Sequence, residues 1–419
     1  MRYVVLVDPY APARGLPPLF EEAGYQCVRV QSTPEVPAVY RGPLDLSGYV
    51  DNIVHSGDLE ETVRELSKYA PVAVLTGSEL GVELADALSE RVGLDTNGTK
   101  QSAARRDKFE MIEQVAARGL PAPRQLLVTS AEQLRAWHQR VGGRIVVKPL
   151  RSAAGDGVAF CDTVDQSEAA YRGIVDRENI FSLPNLGAVA QEYLVGEEYI
   201  VNTVSREGRH HVTDIWGSGR LAVNGIRDLL VESELIDPAS RDYGPMVQYA
   251  FEVLDALGIR FGAAHLEIKV TPDGPCLVEM AARISGGELP YYATEAIGES
   301  QFHWLVDCYV RPDRFDERCG TQYQIKRHFA WAALASPVAG TLNAYRGLDQ
   351  IEALESFRAM RVFVSPGQLL RPTVDDLSYP LTVTLHHESE GVVKRDLNTI
   401  RYLDGHGFYD IEPPSGMVD

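Results

Sequence analysis

At 419 residues the chain is too long for one simple core, so two or three domains are expected. Its 40 basic and 59 acidic residues give a formal net charge of −19 with no basic stretch to offset it, which excludes a general nucleic-acid binder but leaves room for a locally basic site. Five scattered cysteines without C-x-x-C spacing, no apolar run of membrane-spanning length and no signal-peptide pattern in MRYVVLVDPY point to a soluble cytoplasmic protein with reduced thiols and no membrane partner.

The apolar run 3–7, a helix ending at Gly24 and the run YQCVRV read as strand, helix, strand, the start of a doubly wound α/β block. Asp58 is placed to cap a helix in which Leu59, Val63, Leu66 and Tyr69 recur at helical spacing. PVAVLTGSE then reads as a buried strand and turn, followed by a helix over 79–91. Ligands bind beyond strand C-termini in such sheets, so Thr76 to Glu79, with Ser78 as the candidate contact, form a substrate edge. No G-x-G-x-x-G fingerprint is present, and the block as a whole is read as structural.

Near Asn97 the pattern turns polar and basic (TKQSAARRDKFEM) before an amphipathic helix that ends at Gly119, with Lys108 in the region of its start. The β-branched strand RIVVKP places Lys148 near its end, directly before the small-residue stretch LRSAAGDGVAF. A loop this poor in side chains lets backbone N–H groups approach anionic oxygens, and its glycines permit the backbone angles that requires. Residues 188–204 read as a strand, an acidic turn around Gly196 and a second strand. Backbone groups at Glu192 and Leu194 suit an adenine edge, and the Glu198 carboxylate suits ribose hydroxyls. A helix over about 244–257 follows.

The stretch FGAAHLEIKVTPDGPCLVEMAARISGGE, residues 261–288, reads as a hairpin closed by a Thr-Pro-Asp-Gly-Pro turn. Glu267 and Glu279 are symmetric about Asp273 and so face each other across a simple antiparallel register. Two opposed carboxylates destabilise a sheet unless a cation sits between them, and a hard divalent metal carrying nucleotide phosphates meets that need. His265, Glu267 and Lys269 share the polar face, with His265 beside position 281 and placed to orient an amine or accept a proton. Ser285, Gly286 and Gly287 offer backbone N–H groups to a substrate carboxylate. From about 320 onward short β-rich segments alternate with Pro and Gly. The pair His386-His387 lies on one of them, where neighbours point to opposite faces, so it is read as structural.

A lysine opening a helix, a lysine ending a strand before a small-residue loop, an acidic hinge and a paired-glutamate hairpin occur here in one order. That order resembles the ATP-grasp superfamily over roughly residues 95–310, and most of all the L-amino-acid ligases, or dipeptide synthetases. The resemblance implies an N-terminal doubly wound α/β domain (1–95), an ATP-grasp region (96–320, lid subdomain about 130–205) and a β-rich C-terminal part (321–419). It assigns Lys108 and Lys148 to ATP phosphates, and Ser152 to Gly157, including Gly155, to the loop covering them. Glu192, Tyr193 and Leu194 match the adenine hinge, Glu198 the ribose, and Glu267 and Glu279 the Mg2+ (or Mn2+) carboxylates. Arg283 matches the arginine that steadies the acyl phosphate and the tetrahedral intermediate.

One departure is plain: Glu279-Met280-Ala281 stands where many members have Glu-x-Asn. The missing ligand must come from water, from Glu279 acting bidentately or from another residue. The implied activity is ATP-dependent joining of two amino acids into a dipeptide; the rival is joining of a non-standard carboxylic acid to an amino acid. A homodimer is usual for similar enzymes. A purely regulatory nucleotide binder is the reading from another class, and Lys108, Lys148, Glu267, Glu279 and Arg283 all argue against it.

Overall fold

The computed structural model describes residues 1–40, 45–405 and 407–412. The chain divides into two compact units. The first comprises Met1–Ile215, Pro238–Thr294 and Glu299–Tyr323, and the second comprises Trp216–Asp237, Glu295–Gly298 and the chain from Gln324 onward.

The first unit opens with four parallel strands in the order Tyr49–Val54, Gln26–Gln31, Tyr3–Val7, Ala73–Thr76. Alternation sends Val5, Val7, Val28, Val30 and Val74 to one face, against Leu66 and Leu88 of the flanking helices. Val4, Leu6, Cys27 and Leu75 pack on the other face, with Phe20 and with Trp304 and Leu305 of the helix Gln301–Val310. Asp58 caps the helix Leu59–Ser67 through the Glu60 and Glu61 amides. The helix expected from 79 instead starts at Val82. Glu79 therefore stays in the loop beyond the strand. Gly77 makes that loop possible, because a Cβ there would lie 2.5 Å from the Pro9 Cα.

A second, antiparallel sheet follows in the order Gln125–Val128, Ala188–Glu192, Ile145–Pro149, Ala159–Cys161. The helices Ala131–Val141 and Val164–Val175 cover it, closing a core of Leu134, Trp137, Ile145, Val147 and Ile174. The third sheet of this unit sets the strands Gly274–Ala281, Gly262–Thr271 and Glu197–Arg206 side by side, followed by the first part of Arg209–Val223. The helix Gly244–Ala256 supports the hairpin from behind: the Leu277 N–H donates to the Tyr249 hydroxyl (2.8 Å), which donates to the Pro121 carbonyl (2.5 Å).

In the second unit the end of Arg209–Val223 leads an antiparallel order through Ile226–Leu235, His328–Leu334, Leu381–His387 and Phe357–Val362. This is the β-rich part expected, with one unforeseen element, the helix Glu390–Leu403, whose Val393, Leu397 and Ile400 fill the core beneath the sheet. His386 faces Glu295 and His387 faces Glu355, so the two rings diverge. Among the described residues no helix is long and apolar enough to cross a membrane, and the five cysteines are unpaired.

Candidate active site

Glu267 and Glu279 are partners across the hairpin, and His265 lies opposite Ala281, but the register is not the simple one. Thr271 pairs with Gly274, so the turn contains two residues, Pro272 and Asp273, rather than being centred on Asp273. A bulge then places Ile268 opposite Leu277 and leaves Val278 as the extra residue before Glu279. The bulge restores the glutamate pair and exposes the Val278 carbonyl, which accepts a hydrogen bond from Lys148 Nζ at 3.3 Å.

Both predicted lysines converge on this hairpin. Lys108, the first residue of the helix Lys108–Ala117, donates to Glu279 Oε1 at 2.7 Å and to the Ser152 carbonyl at 2.8 Å. Asp107 caps that helix through the Phe109 and Glu110 amides, which fixes where Lys108 emerges. Lys148 is buried on the strand Ile145–Pro149, and burial pulls its ammonium down to about 8, against the partial support of Glu279 and with Lys108 opposing its charge further. The small-residue loop lies between them. Ala154, Gly155 and Gly157 all have positive φ, and a Cβ on Gly157 would meet the Pro149 ring at 2.7 Å. Asp156 ties the loop down, accepting from the Ser152 hydroxyl (2.6 Å) and the Ile180 amide (2.8 Å).

The hinge packs against the far end of the same hairpin. Gly196 approaches the Val270 carbonyl so closely that a Cβ would lie 2.3 Å from it. Lys269 Nζ sits 4.7 Å above the Tyr193 ring, 3.4 Å from the Leu194 carbonyl and 3.6 Å from Glu198. Lys269, on the face of the strand shared with Glu267, thus ties the segment Tyr193–Leu194 and Glu198 to the hairpin, a role not assigned from sequence. The Glu192 amide donates to the Arg124 carbonyl and its carboxylate accepts from the Arg124 Nε at 2.7 Å, which holds the hinge strand to its neighbour.

Beyond the hairpin, Arg283 donates through Nε to Glu79 Oε2 (3.1 Å) and through Nη1 to the Ile284 carbonyl (2.8 Å). The other Glu79 oxygen accepts from Arg106. Burial raises the Glu79 carboxyl, but Arg106, Arg283 and Lys108 outweigh it and leave Glu79 below the usual carboxylate range. Neither Glu79 nor Arg106 was singled out from sequence, although Glu79 closes the predicted substrate edge. The block read as structural therefore delivers a side chain to the site. Arg105, its neighbour, turns instead to Asp86 (3.0 Å) and the Leu257 carbonyl (3.0 Å). Ser78 and Ser285 are buried with hydroxyls that have no hydrogen-bond partner among the described residues. The Ser285 amide, expected to face a substrate carboxylate, is instead engaged by Gln301 (2.7 Å).

His265 Nδ1 contacts Asn202 Oδ1 at 2.9 Å, and Asn202 Nδ2 donates to Asp214 at 2.5 Å. The Asn202 amide nitrogen is spent on Asp214, so its oxygen faces the His265 ring, whose Nε2 lies 3.6 Å from Glu267. The donor set suits Mg2+. Two carboxylates oppose each other, both partly exposed, and Lys108 engages one oxygen of Glu279. No group of three or more His, Cys, Asp or Glu side chains suited to a metal occurs among the described residues.

A family model for the ATP-grasp domain matches residues 141–290. Dapdiamide A synthase of Enterobacter agglomerans is 30% identical to the chain over 426 aligned positions, spanning 99% of the chain and 98% of that protein. The alanine–anticapsin ligase of Bacillus subtilis is 25% identical over 60% of the chain and 58% of its own length. Among solved structures, the L-amino acid ligase from Bacillus licheniformis superposes with a TM-score of 0.73 at 18% identity, covering 98% of this chain and 99% of that one. An ADP complex of N5-carboxyaminoimidazole ribonucleotide synthetase superposes with a TM-score of 0.65 at 16% identity, covering 96% of each chain. Fold and relatives together define an ATP-dependent carboxylate–amine ligase. The chain belongs to the ATP-grasp family, whose members use ATP with Mg2+.

Proposed function

We propose that the enzyme activates the carboxylate of one amino acid as an acyl phosphate and joins it to the amine of a second, giving a dipeptide, ADP and phosphate. A carboxylate oxygen attacks the γ-phosphorus and the bond to the ADP oxygen breaks. The amine nitrogen then attacks the acyl carbon, the carbon–oxygen bond to phosphate breaks, and the amine's excess proton leaves. The observation that carries this reading is the convergence of Lys108, Lys148, Glu267 and Glu279 on one hairpin, with Arg283 four residues beyond Glu279.

Lys108, Lys148 and the Ser152–Gly157 loop, with Gly155, hold and cover the ATP phosphates. The segment Glu192–Tyr193–Leu194 borders the adenine, and Glu198 takes the ribose. Glu267 and Glu279 hold Mg2+, which when bound neutralises charge on the transferred phosphoryl group; Mn2+ serves the same carboxylates. Arg283 binds the acyl oxygens with its planar fork, and the loop excludes water that would hydrolyse the intermediate. His265, Ser78, Ser285, Gly286 and Gly287 orient the substrates. We divide the chain functionally into an N-terminal block (1–95), the ATP-grasp region (96–320) and a C-terminal part (321–419), and place it in the cytoplasm as a homodimer. Light scattering of the purified protein tests the last point.

The relatives' names favour a second reading with the same mechanism. One relative is a dapdiamide A synthase and another an alanine–anticapsin ligase; in this reading the acid is a non-standard one from secondary metabolism. Incubation with ATP, Mg2+ and pools of acids and amino acids tests both. Phosphate release is expected only when acid and amine are both present, and mass spectrometry of the amide identifies the acid. Release with the acid alone would mean uncoupled activation and defeat the proposal.

A further inference from the structure

We infer that Glu79 and Arg106 are positioning residues for Arg283, forming a buried chain that sets the plane of its guanidinium and leaves it a full positive charge for the acyl oxygens. The inference rests on the reading of Arg283 given above. Its first support is geometric. Two nitrogens of Arg283 are fixed by protein, Nε by Glu79 at 3.1 Å and Nη1 by the Ile284 carbonyl at 2.8 Å, and two bonds to a planar group define its plane. The remaining nitrogen, Nη2, has no protein partner among the described residues, and the side chain is 16% exposed, so one corner of the fork stays accessible.

The second support is charge. Glu79 alone would neutralise Arg283 and make the pair a poor receptor for an anion. Arg106 on the other carboxylate oxygen makes the cluster two cations and one anion, with the Glu79 and Arg106 side chains 6% and 5% exposed. A buried net positive charge stabilises an arriving carboxylate or acyl phosphate far more than a solvated one would. Arg106 Nε has no hydrogen-bond partner among the described residues, and the guanidinium carbon lies 6.0 Å from the Phe181 ring. Phe181 follows Ile180, whose amide binds Asp156 of the phosphate loop. The chain thus joins the N-terminal block, the acyl end of the site and the segment bracing the lid. All three residues come from separate stretches, with Glu79 27 residues from Arg106 and 204 from Arg283.

A double-mutant cycle on the full chain tests this, with ligation followed by phosphate release and amide formation. Glu79→Gln keeps the side chain's shape and is expected to lower kcat about 100-fold, as misplacement of a reacting group does, with the KM for ATP changed by no more than about twofold. Added to Arg283→Ala, Glu79→Gln should cause no further loss, because its effect runs through the arginine. Should Glu79→Gln fail to fold, Arg106→Lys carries the test. It keeps the charge but not the fork, and should retain more kcat than Arg106→Met at equal ATP affinity. If Arg283→Ala impairs ligation and either partner's effect simply multiplies with it, the positioning role is overturned while the reading of Arg283 stands. If Arg283→Ala ligates at the normal rate, both are overturned.

Discussion

The two ends of the site solve opposite electrostatic problems. At the hairpin, two glutamates face each other with Lys108 engaging one oxygen of Glu279, so the pair still has room for a cation. At the other end, Glu79 is held by Arg106 and Arg283 on both oxygens, and the cluster is complete within the protein. The first is an acidic pair beside two lysines, which we propose takes up its metal and ATP when they arrive. The second is a finished basic cluster, organised before the acyl group reaches it. Pre-organisation of this kind serves the step where charge develops quickly, since the fold has already borne the reorganisation energy.

The strongest way to break the contrast is to remove charge at the hairpin. Glu279→Gln removes half of the carboxylate pair and the anchor of Lys108 together, and ligation is expected to fall on the order of 1000-fold. Isothermal titration with Mg2+–ATP should show the loss already at the binding step. Arg283→Ala strikes the other end: ligation should fall about 100-fold while ATP affinity persists. If ATP binding vanished equally in both variants, the two ends would be one unit and the comparison would collapse.

How much of this was legible in the sequence depends on distance along the chain. Strand period and a short turn put Glu267 opposite Glu279, and the capping aspartate of the helix Leu59–Ser67 was readable for the same local reason. The bulge at Val278 was not, because residue counting from the turn returns the same glutamate pair by either route. Arg105 and Arg106 look alike as a dipeptide, yet one anchors a structural carboxylate, Asp86, and the other meets Glu79. Only the tertiary fold separates them. Glu79 was legible only as the end of the substrate edge, and its pairing with two arginines was hidden by the helix expected from 79, which in fact begins three residues later. The C-terminal helix Glu390–Leu403 was missed beside strands whose Pro and Gly boundaries were the stronger signal.

A smaller effect sharpens the hairpin side through pH. Burial, with Lys108 nearby, draws Lys148 down to about 8, so above that pH the free enzyme loses a charge that ATP phosphates require. Bound phosphate favours the charged form, so binding takes up a proton above pH 8 and weakens as pH rises. ATP affinity should therefore fall about tenfold between pH 7 and pH 9, an effect set by the separation of free and bound values. Titration in buffers of different ionisation enthalpy would reveal the proton uptake, and Lys148→Met should flatten the profile. A wild-type profile that is itself flat over this range would mean that Lys148 stays charged in the free enzyme.

The smallest effect tests whether the acyl end includes the turn after Arg283. Ser285 is 1% exposed, and its hydroxyl has no hydrogen-bond partner among the described residues. A buried, unpaired hydroxyl costs a fold about 1–3 kcal/mol, so Ser285→Ala should leave the melting temperature unchanged or raise it. If a substrate supplies the missing partner, the same variant should raise that substrate's KM by a factor of about 2–10, the worth of one neutral hydrogen bond. Gain in stability with loss of affinity is a pairing that a packing residue cannot produce. Ser89 provides the contrast, since its hydroxyl donates to the Ala85 carbonyl (2.7 Å) and meets the Thr96 hydroxyl (2.7 Å). Ser89→Ala should lower the melting temperature and leave every KM in place. Should Ser285→Ala behave like Ser89→Ala, the turn belongs to the scaffold and the acyl end stops at Arg283.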